Sequence, residues 1–119
     1  MISKAKKIFQ APKGTFDILP EDQKYWEKVR KVVKHIALGY GFERIDTPVI
    51  EDAEVYSLSA GEATDVVEKQ MYTFQTRGND VLALRPEGTA SIMRAFLEGG
   101  MANAPQPVKL YYIAPMFRY

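Results

Sequence analysis

The chain has 119 residues, a formal net charge of +1, 46% hydrophobic and 26% charged residues, no cysteine and a single histidine, His35. Such a composition describes one globular domain or a piece of one and excludes disordered and fibrous classes. The missing cysteines exclude disulfide frameworks, thiolate nucleophiles, Cys-ligated zinc and iron–sulfur clusters, and one histidine leaves little for a metal site or a histidine-based triad.

Residues 1–12 are basic and aperiodic, which predicts an N-terminal arm. No run approaches the roughly 18 to 20 apolar residues of a bilayer span, and no apolar stretch follows the lysines of MISKAKKIFQ, so a soluble, cytoplasmic protein without membrane contact is expected. Charge is uneven: residues 1–34 hold nine Lys/Arg against four Asp/Glu, and residues 43–68 hold one against eight. Such blocks can steer a polyanion to one face, and solvated surfaces carry them equally well.

Lys13-Gly14-Thr15-Phe16-Asp17-Ile18-Leu19-Pro20 reads as a loop. From Glu21, the residues Tyr25, Trp26, Val29, Val32, Val33, Ile36, Ala37 and Tyr40 recur at helical spacing against a lysine-rich face, and Gly39 and Gly41 mark the end. Tyr25 and Trp26 are expected in the core rather than as a stacking platform, and His35 on the polar edge as a solvated or capping side chain. Phe42–Glu51 is β-prone but interrupted by Pro48, which places the strand at an edge, at a break or against another subunit. A short helix near Val55–Leu58 and a break at Gly61 follow. Residues 71–76 and 81–84 flank Arg77-Gly78-Asn79-Asp80, a hairpin signal.

Thr89 can cap a second helix with the stripe Ile92, Met93, Phe96 and Leu97, closed by Gly99-Gly100. Val108–Tyr119 then reads as one long strand. Strands joined by hairpins and separated by single helices predict an antiparallel α+β fold.

Candidate chemistry sits at Leu84-Arg85-Pro86-Glu87-Gly88-Thr89-Ala90. Glu87 and the Thr89 hydroxyl can accept from an amino group, and Gly88 admits a ligand close to the backbone. Glu87 or Thr89 could equally do no more than cap the helix. Strand alternation puts Met116 and Arg118 on one face. With apolar neighbours turned to the core, the Arg118 guanidinium points toward a cleft, where its fork suits a phosphate or carboxylate. Arg85 could form an ion pair with an acidic residue of 51–68. P-loop, GxGxxG, HExxH and EF-hand spacings are absent.

Taken together, the segments 13–20, Tyr40–Glu51, Gly61-Glu62, Thr64–Phe74, Leu84–Ala90 and Tyr112–Arg118 resemble the start of the catalytic domain of histidyl-tRNA synthetases, a class II family. Residues 40–51 look like motif 1 and residues 112–119 like the opening of motif 2. The resemblance implies a class II antiparallel sheet flanked by helices, with residues 13–119 as the N-terminal portion of that domain. It also implies activation of histidine by ATP to histidyl-adenylate and transfer to tRNA(His). On the matching positions Glu87, Gly88 and Thr89 would contact histidine, with Glu87 accepting from its α-ammonium. Arg118 would bind the α-phosphate of ATP near the substrate carboxylate. Mg2+ would accompany ATP with ligands outside this segment, no metal-binding residue is implied here, and motif 1 would form much of a homodimer interface.

The sequence departs from the family pattern at Leu58, where arginine is common, and at Gln70, where glutamate is usual. It stops at Tyr119, one residue before the expected motif 2 glutamate, and lacks motif 3 and the anticodon-binding domain, so an inactive fragment of a longer ligase is expected. The competing reading within the resemblance is a non-catalytic paralogue, such as a regulatory subunit of ATP phosphoribosyltransferase in histidine biosynthesis or the synthetase-like domain of a stress-response kinase. Such proteins tend to lose the segment that is intact here at 85–90. A stand-alone RNA-binding module would rest on the basic first helix alone.

Overall fold

The computed structural model describes residues 9–59 and 69–119 and contains two compact units, residues 1–36 and 37–119. Most of the expected arm, the Gly61 break, Gly61-Glu62 and Thr64–Glu68 lie outside the described residues.

In the first unit Thr15 donates its N–H (3.0 Å) and its hydroxyl (2.6 Å) to the Pro12 carbonyl, a tight turn made possible by Gly14 at φ +84°. Without a Cβ, glycine enters that left-handed region at little cost. Pro20 opens a 3-10 turn, Pro20–Asp22, that runs into helix α1, Gln23–Gly39. Proline suits this first position, because its missing N–H would have no helical partner there. The periodic stripe of α1 is not buried as expected: Tyr25 is 62% exposed, Trp26 37%, Val29 54% and Ile36 53%. Periodicity decides which residues share a face, whereas burial requires a second layer laid against it.

The C-terminus of α1 closes as the two glycines predict. Phe42 N–H reaches back to the Ala37 carbonyl (2.8 Å) and Gly41 N–H to that of Leu38 (3.1 Å), with Gly41 at φ +77°. This is the paired bonding that satisfies the last carbonyls of a helix through a left-handed residue.

Pro48 divides the predicted strand into two short ones that join different sheets. Strand β1, Glu43–Arg44, pairs in parallel with β5, Leu110–Tyr111, in the register Glu43↔Leu110. Strand β2, Ile50–Asp52, lies at the edge of an antiparallel sheet of order β2-β4-β3, in which β3 is Thr73–Gln75 and β4 is Val81–Leu84. The hairpin β3–β4 pairs Phe74 with Leu82. Its turn is braced by Thr76, whose hydroxyl accepts the N–H groups of Gly78 and Asp80 (both 3.2 Å), and Asn79 takes φ +68°. Asn is among the few non-glycine residues that tolerate this region. The three-stranded sheet is antiparallel as expected, and the separate β1–β5 pair is parallel, because these strands come from distant parts of the chain and no hairpin constrains their direction.

Helix α2, Ala53–Ser59, follows β2 directly, and α3, Thr89–Glu98, follows β4 after four residues. Ala53, Tyr56, Met71, Ala83 and Ala90 form the core of the second unit, with Val55 packed against it. Mostly alanines, they let α2 and α3 approach the sheet closely, and one large side chain, Tyr56 (1% exposed), fills the space between them. The Tyr56 and Ser91 hydroxyls, both buried, are 2.8 Å apart. Two further ties hold α3: Arg94 donates to Glu51 of β2 (Nε–Oε2 3.0 Å) and pairs with Glu98 one turn on. The hydrogen bond to Glu51 raises the Arg94 pKa against the opposing effect of burial.

Ser91→Ala removes one partner of the buried Tyr56 hydroxyl and is expected to destabilise the chain by about 1–3 kcal/mol in urea unfolding. Burial, the largest influence, raises the Tyr56 pKa above its ordinary 10.0. The folded chain therefore holds this proton at pH values where the unfolded chain has released it. Unfolding free energy should be unaffected by this group below about pH 10 and fall above it, and Tyr56→Phe should flatten that part of the pH–stability curve.

Candidate active site

Residues 85–88 carry the chain from the end of β4 into α3, and the candidate side chains are arranged around that passage. The first helical N–H groups have no partners within a helix, and the helix dipole leaves partial positive charge there. Glu87 supplies the acceptors: one carboxylate oxygen takes the Thr89 N–H at 2.6 Å and the other the Ala90 N–H at 3.0 Å. Of the two capping residues considered from sequence, Glu87 holds the helix start and Thr89 is its exposed first residue. Each Glu87 oxygen retains lone-pair capacity beyond these bonds.

Gly88 is buried at φ −108°, a value any residue can adopt. It is required for space: a Cβ built on it would lie 2.7 Å from the Tyr112 hydroxyl oxygen and nearer still to the ring carbons. Tyr112, which follows β5 directly, packs over Gly88 on the side a Cβ would occupy. Its signals in the sequence are its place in the apolar run 108–119 and at the start of the segment that resembles motif 2, and neither points to Gly88.

That run is not one long strand. Only Leu110–Tyr111 form a ladder, and residues 112–119 turn to other partners: Phe117 N–H donates to the Arg85 carbonyl (3.0 Å) and Tyr119 N–H to that of Gln70 (3.2 Å). Pro115 cannot donate to a ladder, which interrupts the pairing. Met116 and Arg118 are both exposed and Phe117 between them is partly buried, the alternation expected of extended chain. Arg118 Nε donates to the Pro86 carbonyl at 2.9 Å. A guanidinium and a carboxylate are thus anchored on consecutive residues of one turn, Arg118 on Pro86 and Glu87 next to it. Among the described residues the Arg118 Nη groups have no protein partner.

Arg85 forms no ion pair with a described acidic residue. It is 5% exposed, and its guanidinium donates to the carbonyls of Pro115 (3.0 Å), Thr47 (2.9 Å) and Pro48 (3.4 Å). Carbonyls meet it because the chain breaks at Pro48 and Pro115 leave acceptors that no sheet ladder uses. Sequence reasoning also missed Arg94 and Glu51; the Arg94–Glu98 spacing of four was readable on a helix, but the reach to Glu51 was not. His35 is exposed on α1 in the first unit. A shallow depression there, lined by Tyr25, Trp26 and Val29, includes none of the candidate residues. Leu58 is 85% exposed. Among the described residues no three His, Asp or Glu side chains are grouped to hold a metal ion, and no helix is long and apolar enough to cross a membrane.

The sequence model described as histidyl-tRNA synthetase matches residues 14–119. The chain belongs to the histidyl-tRNA synthetase family. A histidine–tRNA ligase of Dehalococcoides mccartyi (strain 195) is 58% identical over 112 residues, which cover 94% of this chain and 27% of that protein. The apo histidyl-tRNA synthetase of S. aureus superposes with a TM-score of 0.80 at 38% identity, over 94% of this chain and 30% of that one. A Bacillus halodurans structure described as an ATP phosphoribosyltransferase regulatory subunit/histidyl-tRNA synthetase gives 0.79 at 26% identity, over 96% and 29%. The chain thus has the α+β fold of histidyl-tRNA synthetases and spans under a third of the length of these relatives.

Gly88→Ala would drive a methyl group into the Tyr112 ring. It is expected to destabilise the chain by about 1–3 kcal/mol, and Tyr112→Ala in the same chain should recover part of that loss. Urea unfolding of the three variants checks both expectations.

Proposed function

We propose that this chain is the N-terminal portion, residues 13–119, of the catalytic domain of a histidine–tRNA ligase acting on histidine, ATP and tRNA(His) in the cytoplasm. The observation that supports the reading is the anchoring of Glu87 and Arg118 on one turn, in a chain 58% identical to a histidine–tRNA ligase.

The chemistry joins two anions. The carboxylate of histidine attacks the α-phosphate of ATP, a P–O bond forms, and pyrophosphate leaves with the electrons of the broken bond. A hydroxyl at the 3′ end of the tRNA then attacks the acyl carbon and releases AMP. Glu87 accepts from the α-ammonium of histidine; with its carboxylate already oriented by two helix N–H groups, little ordering remains to be done on binding. Thr89 adds a hydroxyl acceptor and Gly88 keeps the backbone low between them. Arg118, tied through Nε, presents its Nη donors to the α-phosphate and the substrate carboxylate. There it offsets the repulsion between the two and the charge that develops during transfer. Mg2+ would come with ATP; among the described residues no three Asp, Glu or His side chains are grouped to hold it. Residues 40–51 would meet a second copy in a homodimer.

The Bacillus halodurans likeness favours a second reading, a regulatory paralogue without ligase activity. Histidine-dependent exchange of pyrophosphate into ATP by the full-length protein separates the two, since a regulatory subunit gives none.

In the full-length ligase, Glu87→Ala should weaken histidine binding by about 2–4 kcal/mol, through loss of a charged hydrogen bond and an unpaired ligand ammonium. Exchange rates equal to wild type across histidine concentrations would remove Glu87 from the site. Arg118→Ala should lower the single-turnover adenylation rate constant by a larger factor than it raises the histidine dissociation constant, the pattern of a contact strengthened in the transition state.

A further inference from the structure

Arg85 carries a full charge that is 5% exposed and has no carboxylate partner among the described residues. Arginine does not shed its proton on burial, so the charge must be met by dipoles. Those dipoles come from two segments far apart in the chain. Nη1 bonds the Thr47 and Pro48 carbonyls, and Nε bonds that of Pro115. The backbone of the same residue repeats the pattern, with its N–H donating to Val49 (3.0 Å) and its carbonyl accepting from Phe117 (3.0 Å). Each segment is therefore held twice, by side chain and by main chain, across a single residue.

The position of this clamp is what gives it consequence. The next residue, Pro86, is almost wholly buried, and its carbonyl receives Arg118 Nε at 2.9 Å; Glu87 follows it. Phe117, bonded to the Arg85 carbonyl, directly precedes Arg118. We infer that Arg85 is a positioning residue: its guanidinium locks the 115–117 segment against the 47–49 segment and thereby sets where Arg118 stands relative to Glu87. The inference rests on the reading of Arg118 and Glu87 given above. Lysine could not replace the clamp, because one ammonium on a flexible stem cannot span carbonyls on both sides with fixed angles, as a planar fork does. Arg118 is exposed and tied by one bond, so a loosened 115–117 segment would let it drift. Displacement of a reacting group by about 1 Å can lower a rate by as much as a hundredfold.

The test is a double-mutant cycle in the full-length ligase with Arg85→Lys and Arg118→Ala, reading the single-turnover adenylation rate constant, the histidine dissociation constant and the unfolding midpoint of each variant. Arg85→Lys alone should lower the rate constant by about tenfold to a hundredfold with a smaller change in histidine binding. In the Arg118→Ala background it should lower the rate constant little further, because the group it positions is gone. Ser91→Ala, which destabilises the same unit elsewhere, should act equally in both backgrounds. Independent, multiplicative effects of Arg85→Lys and Arg118→Ala would overturn the inference, as would an Arg85→Lys enzyme of wild-type rate. If Arg85→Lys does not fold, Arg85→Gln takes its place in the cycle, and failure of both to fold assigns Arg85 to the fold alone and likewise overturns the inference. An Arg118→Ala enzyme of wild-type rate would instead contradict the functional reading itself.

Discussion

The buried Arg85 guanidinium is the point through which three separate stretches of this chain are held together. Residues 47–49, 85–87 and 115–118 share no continuous sheet, since each includes a proline that breaks or cannot extend a ladder. Without ladder bonds, carbonyls are left over, and a planar cation with several donors can satisfy them at once. A desolvated charge is stabilising only if its partners stay in place, because any lost bond leaves an unsatisfied cation in a low dielectric. The arrangement therefore resists partial opening.

A second constraint acts at the start of α3. Glu87 neutralises helix donors that would otherwise have only water, which orients its carboxylate. The same donors withdraw electron density from the carboxylate and reduce its attraction for a further cation, so orientation is gained against some strength of binding. Gly88 beneath Tyr112 keeps this turn close to the chain that carries Arg118. The helix is then fastened along its length by Ser91 to Tyr56 and by Arg94 to Glu51, so that the cap does not tilt with the helix.

Much of this was legible in the residues. The hairpin around Gly78-Asn79, the helix end at Gly41, the helix of 89–98 with its glycine stop, and the break at Pro48 all follow from local rules that need no partner from elsewhere: left-handed glycines, missing proline donors and helical periodicity. The grouping of Glu87, Gly88, Thr89 and Arg118 was likewise visible, through resemblance more than through spacing. Three features are not: the Arg85 guanidinium meets carbonyls rather than a carboxylate, the Tyr112 ring packs over Gly88, and Tyr25 is exposed rather than in a core.

Each of these depends on a neighbour 24 to 38 residues away, or on a layer that sequence periodicity cannot supply. The sequence by itself determined the helices, the turns, the α+β class and membership of the histidyl-tRNA synthetase family, because those rest on local backbone preferences and on residue identity. Only the tertiary structure decided that β1 and β5 run parallel, that 112–119 leave the ladder, and that one arginine joins both proline breaks to the turn of Glu87. Backbone carbonyls are present at every residue, and which of them a buried cation meets is settled only by where the chain crosses itself.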